Sequence, residues 1–224
     1  MTNLPYANRV EAGRVLAQAL ARHAGRPGLT VLALPRGGVP VAYEVADRLG
    51  AALDLMIVRK LGMPGHEEFA VGAIASGGVR VVNPEVTFYV PERVIEQIAR
   101  RERAELLRRE RRYRGDRPLL DVRGHTVILV DDGLATGATM RAAVSAARQL
   151  GPRAVVVAVP VAPADTIAML RQVADDVVCP ATPEPFYAIG LWYRDFHQVS
   201  DEEVTALLQR AWSASDRASG EDVS

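Results

Sequence analysis

The chain has 224 residues, 49% of them hydrophobic, and its 27 basic side chains balance 27 acidic ones to zero formal charge. That length buries one sizeable core with room for a small subdomain, and a neutral balance argues against a general nucleic-acid binder. No apolar run reaches the roughly 18 residues a membrane span needs, the start Met-Thr-Asn-Leu-Pro-Tyr lacks the regions of a signal peptide, and one cysteine, Cys179, excludes an internal disulfide or a multi-cysteine metal cage.

These features describe a cytosolic chain with a reduced thiol. In chain order, the periodicity predicts a helix over Val10 to Arg22, a strand over Thr30 to Leu34, a helix over Val41 to Leu49, and strands over Leu53 to Val58, Ala70 to Ala75 and Val79 to Val82. A long helix from Glu92 to Tyr113 follows, then strand Thr126 to Val130, helix Thr139 to Leu150, strand Ala154 to Val159, helix Ala164 to Gln172, strand Asp176 to Cys179 and helix Asp201 to Trp212. Alternating strands and helices imply an α/β fold, a parallel sheet with helices on both faces. A single domain over residues 1–212 is expected, with a polar, disordered tail over 213–224.

Residues 127 to 140, Val-Ile-Leu-Val-Asp-Asp-Gly-Leu-Ala-Thr-Gly-Ala-Thr-Met, carry the most chemistry. An apolar strand ends in two carboxylates, Asp131 and Asp132, and runs through Gly133, Leu134, Ala135, Thr136, Gly137, Ala138 and Thr139 into a helix. Ligands of open α/β sheets bind beyond strand carboxyl ends, where helix N-termini offer free N–H groups to phosphate. Paired carboxylates repel phosphate, so they suit vicinal hydroxyls or a metal ion. The combined ligand is a sugar phosphate. An ordinary helix cap is the plainer reading. A phosphoacceptor receiver would need a lysine on a later strand, whereas Lys60, the one lysine among 27 basic residues, lies upstream.

Lys60 follows Arg59 at a strand end, and its mobile ammonium suits a phosphate that moves or leaves. Leu34-Pro35-Arg36-Gly37-Gly38-Val39-Pro40 forms a second strand-to-helix turn, where paired glycines let successive N–H groups form an anion nest. Leu61 to Phe69 holds two glycines and a proline and reads as a mobile loop that could exclude water, with His66, Glu67 and Glu68 facing solvent. Ten arginines fall between Arg93 and Arg117; i,i+4 acids pair many of them, which leaves room for a subunit contact such as a homodimer. Residues 185–196 hold five of the twelve aromatics, faces on which a planar heterocycle can stack.

The segment Val127 to Met140 resembles the phosphoribosyl pyrophosphate (PRPP) loop of type I phosphoribosyltransferases. The resemblance implies that family's Rossmann-like core and a small hood partly from residues 180–200. It gives Asp131 and Asp132 the ribose hydroxyls, and Gly133 to Thr139 the 5′-phosphate. Arg36, Gly37, Gly38, Val39, Arg59 and Lys60 would take the diphosphate, with Leu61 to Phe69 as the lid. Phe186, Tyr187, Trp192 and Asp195 would meet the base. Mg²⁺ would arrive with PRPP, near Asp131 and Asp132. Hypoxanthine-guanine members carry an acid where this chain has Ala135, which aligns it with the adenine and xanthine types. The same fold also serves PRPP-sensing regulators, and a hydrolase passing the ribosyl group to water is a third reading.

Overall fold

The structure, a computed structural model, describes residues 4–63, 66–82 and 89–221. Five strands, β1 (Leu29–Ala33), β2 (Ala52–Leu55), β6 (Thr126–Val130), β7 (Ala154–Ala158) and β8 (Asp176–Val178), form a parallel sheet in the order β2-β1-β6-β7-β8. Every position of β1 and β6 is buried, as a strand covered on both faces requires. Val31, Ala33, Ile128 and Val130 face the helices α1 (Arg9–Ala19), α2 (Gly38–Leu49) and α6 (Asp201–Glu221). Leu32, Val127 and Leu129 pack on the other face against α4 (Ala138–Gln149) and α5 (Ala164–Leu170).

The connections leave β1 and β6 in opposite directions: β1 leads through α2 to β2, and β6 through α4 to β7. Between the two strands lies the topological switch point, where diverging loops open a crevice at the carboxyl edge. Both phosphate-type turns expected from the sequence therefore start on adjacent strands, in register at Ala33 and Val130.

The strand expected over Leu53 to Val58 divides. Met56 N–H donates to the Ala33 carbonyl (2.9 Å), ending β2's run along the sheet, and Ile57 exchanges hydrogen bonds with Ser76. Beyond this break β3 (Val58–Met63), β4 (His66–Ala75) and β5 (Val79–Val82) form a separate three-stranded antiparallel sheet. Most of Leu61 to Phe69, expected as a loop, is hairpin, with register shifts around Gly62 absorbing the irregular spacing. Gly72 is required there, because a β-carbon would meet the Val81 carbonyl oxygen at 2.3 Å. The hairpin tip, Pro64 and Gly65, lies outside the described residues.

Two further differences concern the ends. Tyr6 donates to the Pro160 carbonyl (3.0 Å) and packs with Tyr193, Val161 and Ala181, so the N-terminal segment and the stretch after β8 share a small core over the sheet edge. Residues 213–221, expected as disordered tail, continue α6 as helix. Arg117 pairs with Asp216 (3.0 Å) and lies over the Trp212 ring, contacts that polar composition alone did not reveal. Among the described residues no helix is long and apolar enough to cross a membrane.

Helix α3 (Glu92–Arg114) locks onto β2 through one buried ion pair. Arg114 donates to Asp54 Oδ1 (2.7 Å) and to the Leu55 carbonyl (2.6 Å), and Leu120 N–H donates to Asp54 Oδ2 (3.0 Å). Removing one partner strands a buried charge, at a cost of roughly 3 to 5 kcal/mol. Arg114→Met is expected to lower the denaturant midpoint by that much at unchanged slope; a loss below about 1 kcal/mol would show the pair to be dispensable.

Candidate active site

The turn after β1 and the turn after β6 press on one another. Leu34 N–H donates to the Val130 carbonyl (2.8 Å), extending the ladder to the edge, and the Pro35–Arg36 peptide is cis. A β-carbon on Gly37 would lie 2.1 Å from Asp132 Oδ2, and one on Gly38 would lie 2.7 Å from the Val130 carbonyl oxygen. The glycine pair is thus demanded by contact between the two turns. Gly38 and Val39 N–H turn inward to the Leu34 and Arg36 carbonyls, and among the described residues the Arg36 and Gly37 N–H groups have no hydrogen-bond partner.

Asp131 is half-buried and Asp132 is 8% exposed. Asp132 N–H donates to Asp131 Oδ1 (2.9 Å). Burial, and then the neighbouring Asp132 charge, push the Asp131 carboxyl well above the usual carboxylate range. Burial also raises Asp132, opposed by Arg9. Arg9, on the first turn of α1, donates Nε to Asp132 Oδ2 (2.8 Å) and Nη1 to the His197 carbonyl (2.7 Å), with its guanidinium 4.0 Å from the Phe196 ring centre. The Tyr193 hydroxyl donates to the Asp132 carbonyl, and its ring stacks on Phe196.

The turn that follows exposes Ala135, Thr136, Ala138 and Thr139, while Leu134 is buried and donates its N–H to the Val161 carbonyl (3.0 Å). Gly137 precedes α4 at φ +70°, a left-handed conformation with no room for a β-carbon against Thr166. The first turn of α4 has N–H groups that no helical carbonyl can take; Ala138 N–H donates to Thr136 Oγ1 (3.5 Å).

Arg9, Pro35, Arg36, Gly37, Asp131, Asp132, Phe196, Gln198 and Val199 line one cleft of about 390 Å³. Lys60 does not line this cleft; it lines a separate cavity with Ala138, Thr139 and Arg141 at the start of α4. Arg59 is held by Glu102 of α3 (Nε, 2.9 Å). The four aromatic-segment residues expected at the base do not line the cleft: Phe186 packs on Trp192, Tyr187 is 80% exposed, and Asp195 pairs with His197 (3.0 Å). Phe196, Gln198 and Val199 stand there instead.

Arg9, like Gln198 and Val199, is a residue that sequence reasoning missed. One arginine among 26, on a helix far from the acidic pair in sequence, gave no signal; Asn8 capping α1 marks only where that helix begins. Among the described residues no cluster of three or more His, Cys, Asp or Glu could hold a metal unaided. Asp131 and Asp132 do fit a hard cation that is also bound by a ligand's oxygens, the usual coordination of Mg²⁺, and a cation would relieve their repulsion.

Phosphate-type turns facing one another at the switch point of an open parallel sheet are the arrangement by which α/β proteins hold phosphorylated ligands. A family model, the phosphoribosyl transferase domain, matches residues 6–189. The chain belongs to that family. It is 48% identical over 206 residues to a Mycobacterium tuberculosis protein named, provisionally, a phosphoribosyl transferase; the match covers 91% of this chain but only 46% of that longer protein. The fold is similar to the crystal structure of TT1426 from Thermus thermophilus, at 48% identity and a TM-score of 0.84, covering 92% of this chain and 98% of that one. Over 120 residues, 52% of this chain and 60% of the other, it is 33% identical to the bifunctional protein PyrR of Chloroflexus aurantiacus.

Asp131's raised pKa has a sign that can be tested. Its favourable contribution is whole below the unfolded carboxylate value of 3.8 and is lost as pH rises through the higher folded value. Asp131→Asn, which keeps the acceptor for Asp132 N–H, is expected to melt higher than the parent at neutral pH without ligand, the gap closing towards acid. Melting curves that stay parallel across pH 4 to 8 would remove the burial cost.

Proposed function

We propose that this protein transfers the 5-phosphoribosyl group of Mg²⁺-PRPP to a nitrogenous base, purine-like by preference, giving a nucleoside monophosphate and diphosphate. The observation that carries the reading is the acidic pair placed between two turns with free N–H groups. Asp131 and Asp132 accept the ribose hydroxyls, and the Gly133 to Thr139 turn binds the 5′-phosphate at the α4 N-terminus. Arg36 and the Arg36 and Gly37 N–H groups take the diphosphate. Mg²⁺ supplies charge that offsets the diphosphate and the carboxylates together.

Breaking the anomeric bond develops positive charge on the ribose and negative charge on the departing diphosphate. Negative charge on the acidic pair favours the first; Arg36 and Lys60 favour the second. Arg9 opposes the effect of burial on Asp132 and so favours its charged form. Gln198 presents both a donor and an acceptor to the base edge, with Val199 and Phe196 as apolar walls. Ala135 cannot exchange a proton with the base, so no general acid is assigned at that position.

Incubation with Mg²⁺-PRPP and a panel of purine and pyrimidine bases, with diphosphate and nucleotide both measured, tests the proposal. Equal amounts of both products with at least one base are expected. Diphosphate without nucleotide would indicate hydrolysis; tight PRPP binding without turnover would indicate a sensor.

Lys60→Ala should lower the maximal rate by about 10²- to 10³-fold while PRPP affinity changes little, since its charge is most needed as diphosphate leaves. A variant that loses affinity and keeps its maximal rate would make Lys60 a ground-state ligand only.

A further inference from the structure

Pro35 and Arg36 line the candidate cleft on one side and a second cavity, of about 270 Å³, on the other. The remaining walls of that cavity are Arg108, Arg109, Arg112, Tyr113 and Asp201. We propose that it is a second anion site, built for an oligophosphate chain such as diphosphate, and that Arg36 serves both it and the cleft.

Four guanidiniums converge there from two parts of the chain. Arg108, Arg109 and Arg112 share one face of α3 by their spacing, and Arg36 reaches in from the turn after β1. Three carboxylates answer them: Glu105, Asp201 and Glu202. Their hydrogen-bonding capacity is spent unevenly. Asp201 accepts from the Tyr113 hydroxyl (2.7 Å) and pairs with Arg112 Nε (3.2 Å), and Arg36 Nη1 stands 3.6 Å away, beyond a hydrogen bond. Glu202 takes Arg112 Nη2 (2.7 Å). Glu105 takes Arg108 through Nε and Nη2, but Arg109 through Nε alone. Among the described residues the Arg109 Nη groups and the Arg36 fork, which is ion-paired with Asp201 without a hydrogen bond, therefore keep spare donors at a concave surface with one positive charge in excess.

Planar forks with spare parallel donors match phosphate oxygens bidentately, and two or more such forks around one concavity favour a chain of linked phosphates over a single carboxylate. Tyr113 is buried and ties the end of α3 to Asp201, so the walls are held before any anion arrives. The shared chemistry has two sources: diphosphate leaving the cleft past Arg36, or the phosphate tail of a separate nucleotide. The link to the cleft rests on the phosphoribosyl reading; the anion site does not.

Calorimetric titration of the whole chain with inorganic diphosphate at low salt tests this, alongside Arg108→Gln/Arg109→Gln, whose substituted side chains lie at the rim of α3. Two diphosphates per parent chain and one per variant chain are expected, the second site weakening at least about tenfold. One diphosphate per parent chain, lost in the variant, would keep this site and sink the cleft's diphosphate role instead. One or two diphosphates bound equally by both proteins would overturn the proposal. Titration with ATP separates the sources: a site that prefers diphosphate handles the product, and one that prefers ATP handles an effector, both being oligophosphate sites.

Discussion

Two carboxylates at the end of one buried strand repel each other, Asp132 buried and Asp131 half-buried, and the rest of the site is arranged to make this tolerable. Arg9 is the counter-charge. For its guanidinium to arrive, α1 must lie close on α2, and Gly13 permits this: a β-carbon there would meet the Val41 carbonyl oxygen at 2.8 Å. The segment from Tyr193 to Val199 closes over the pair by giving Arg9 a carbonyl and an aromatic face and by bonding the Asp132 backbone. A buried charge this well surrounded contributes little net stability, because desolvation offsets the attraction. Its effect is on position: it brings the N-terminal helix, the central strand and the C-terminal cap to one point.

The parallel core was legible because its signals are local. Runs of apolar residues ending in Gly- or Asp-rich turns gave each strand and placed both phosphate-type turns at strand ends, with β1 and β6 recovered almost whole. Of the antiparallel sheet, β5 and the second half of β4 were expected as strands, but β3 and the pairing of the three were not, for the opposite reason. The ladder pairing β3, β4 and β5 is a tertiary fact, and the Gly-Met-Pro-Gly stretch reads by composition as loop. The same limit applied at the site. Asp131, Asp132, Gly37 and Lys60 announce themselves by type and position, whereas Arg9 and Gln198 join the cleft only because chain segments far apart in sequence converge on it.

Gly37 and Gly38 teach a related lesson. Sequence reasoning assigned them to the ligand, since glycine lets a backbone approach phosphate. In the structure their missing β-carbons are first needed by the protein itself, for Asp132 and Val130 stand where those carbons would be. The free N–H groups of Arg36 and Gly37 follow from that packing. A turn squeezed against its neighbour cannot satisfy all its donors internally.

The pairing of β6 with β1, in step from Leu29 opposite Thr126 to Ala33 opposite Val130, has one more result. Alternate residues of a strand point to opposite faces, so parity along β6 decides what each side chain meets. Slipping the strand by a single residue would send Val127 and Leu129 towards α2 and bring Asp131 round to where Asp132 meets Arg9. Two chemically identical acids are told apart by counting hydrogen bonds along the sheet: the ladder that holds the core together also distributes the labour between them.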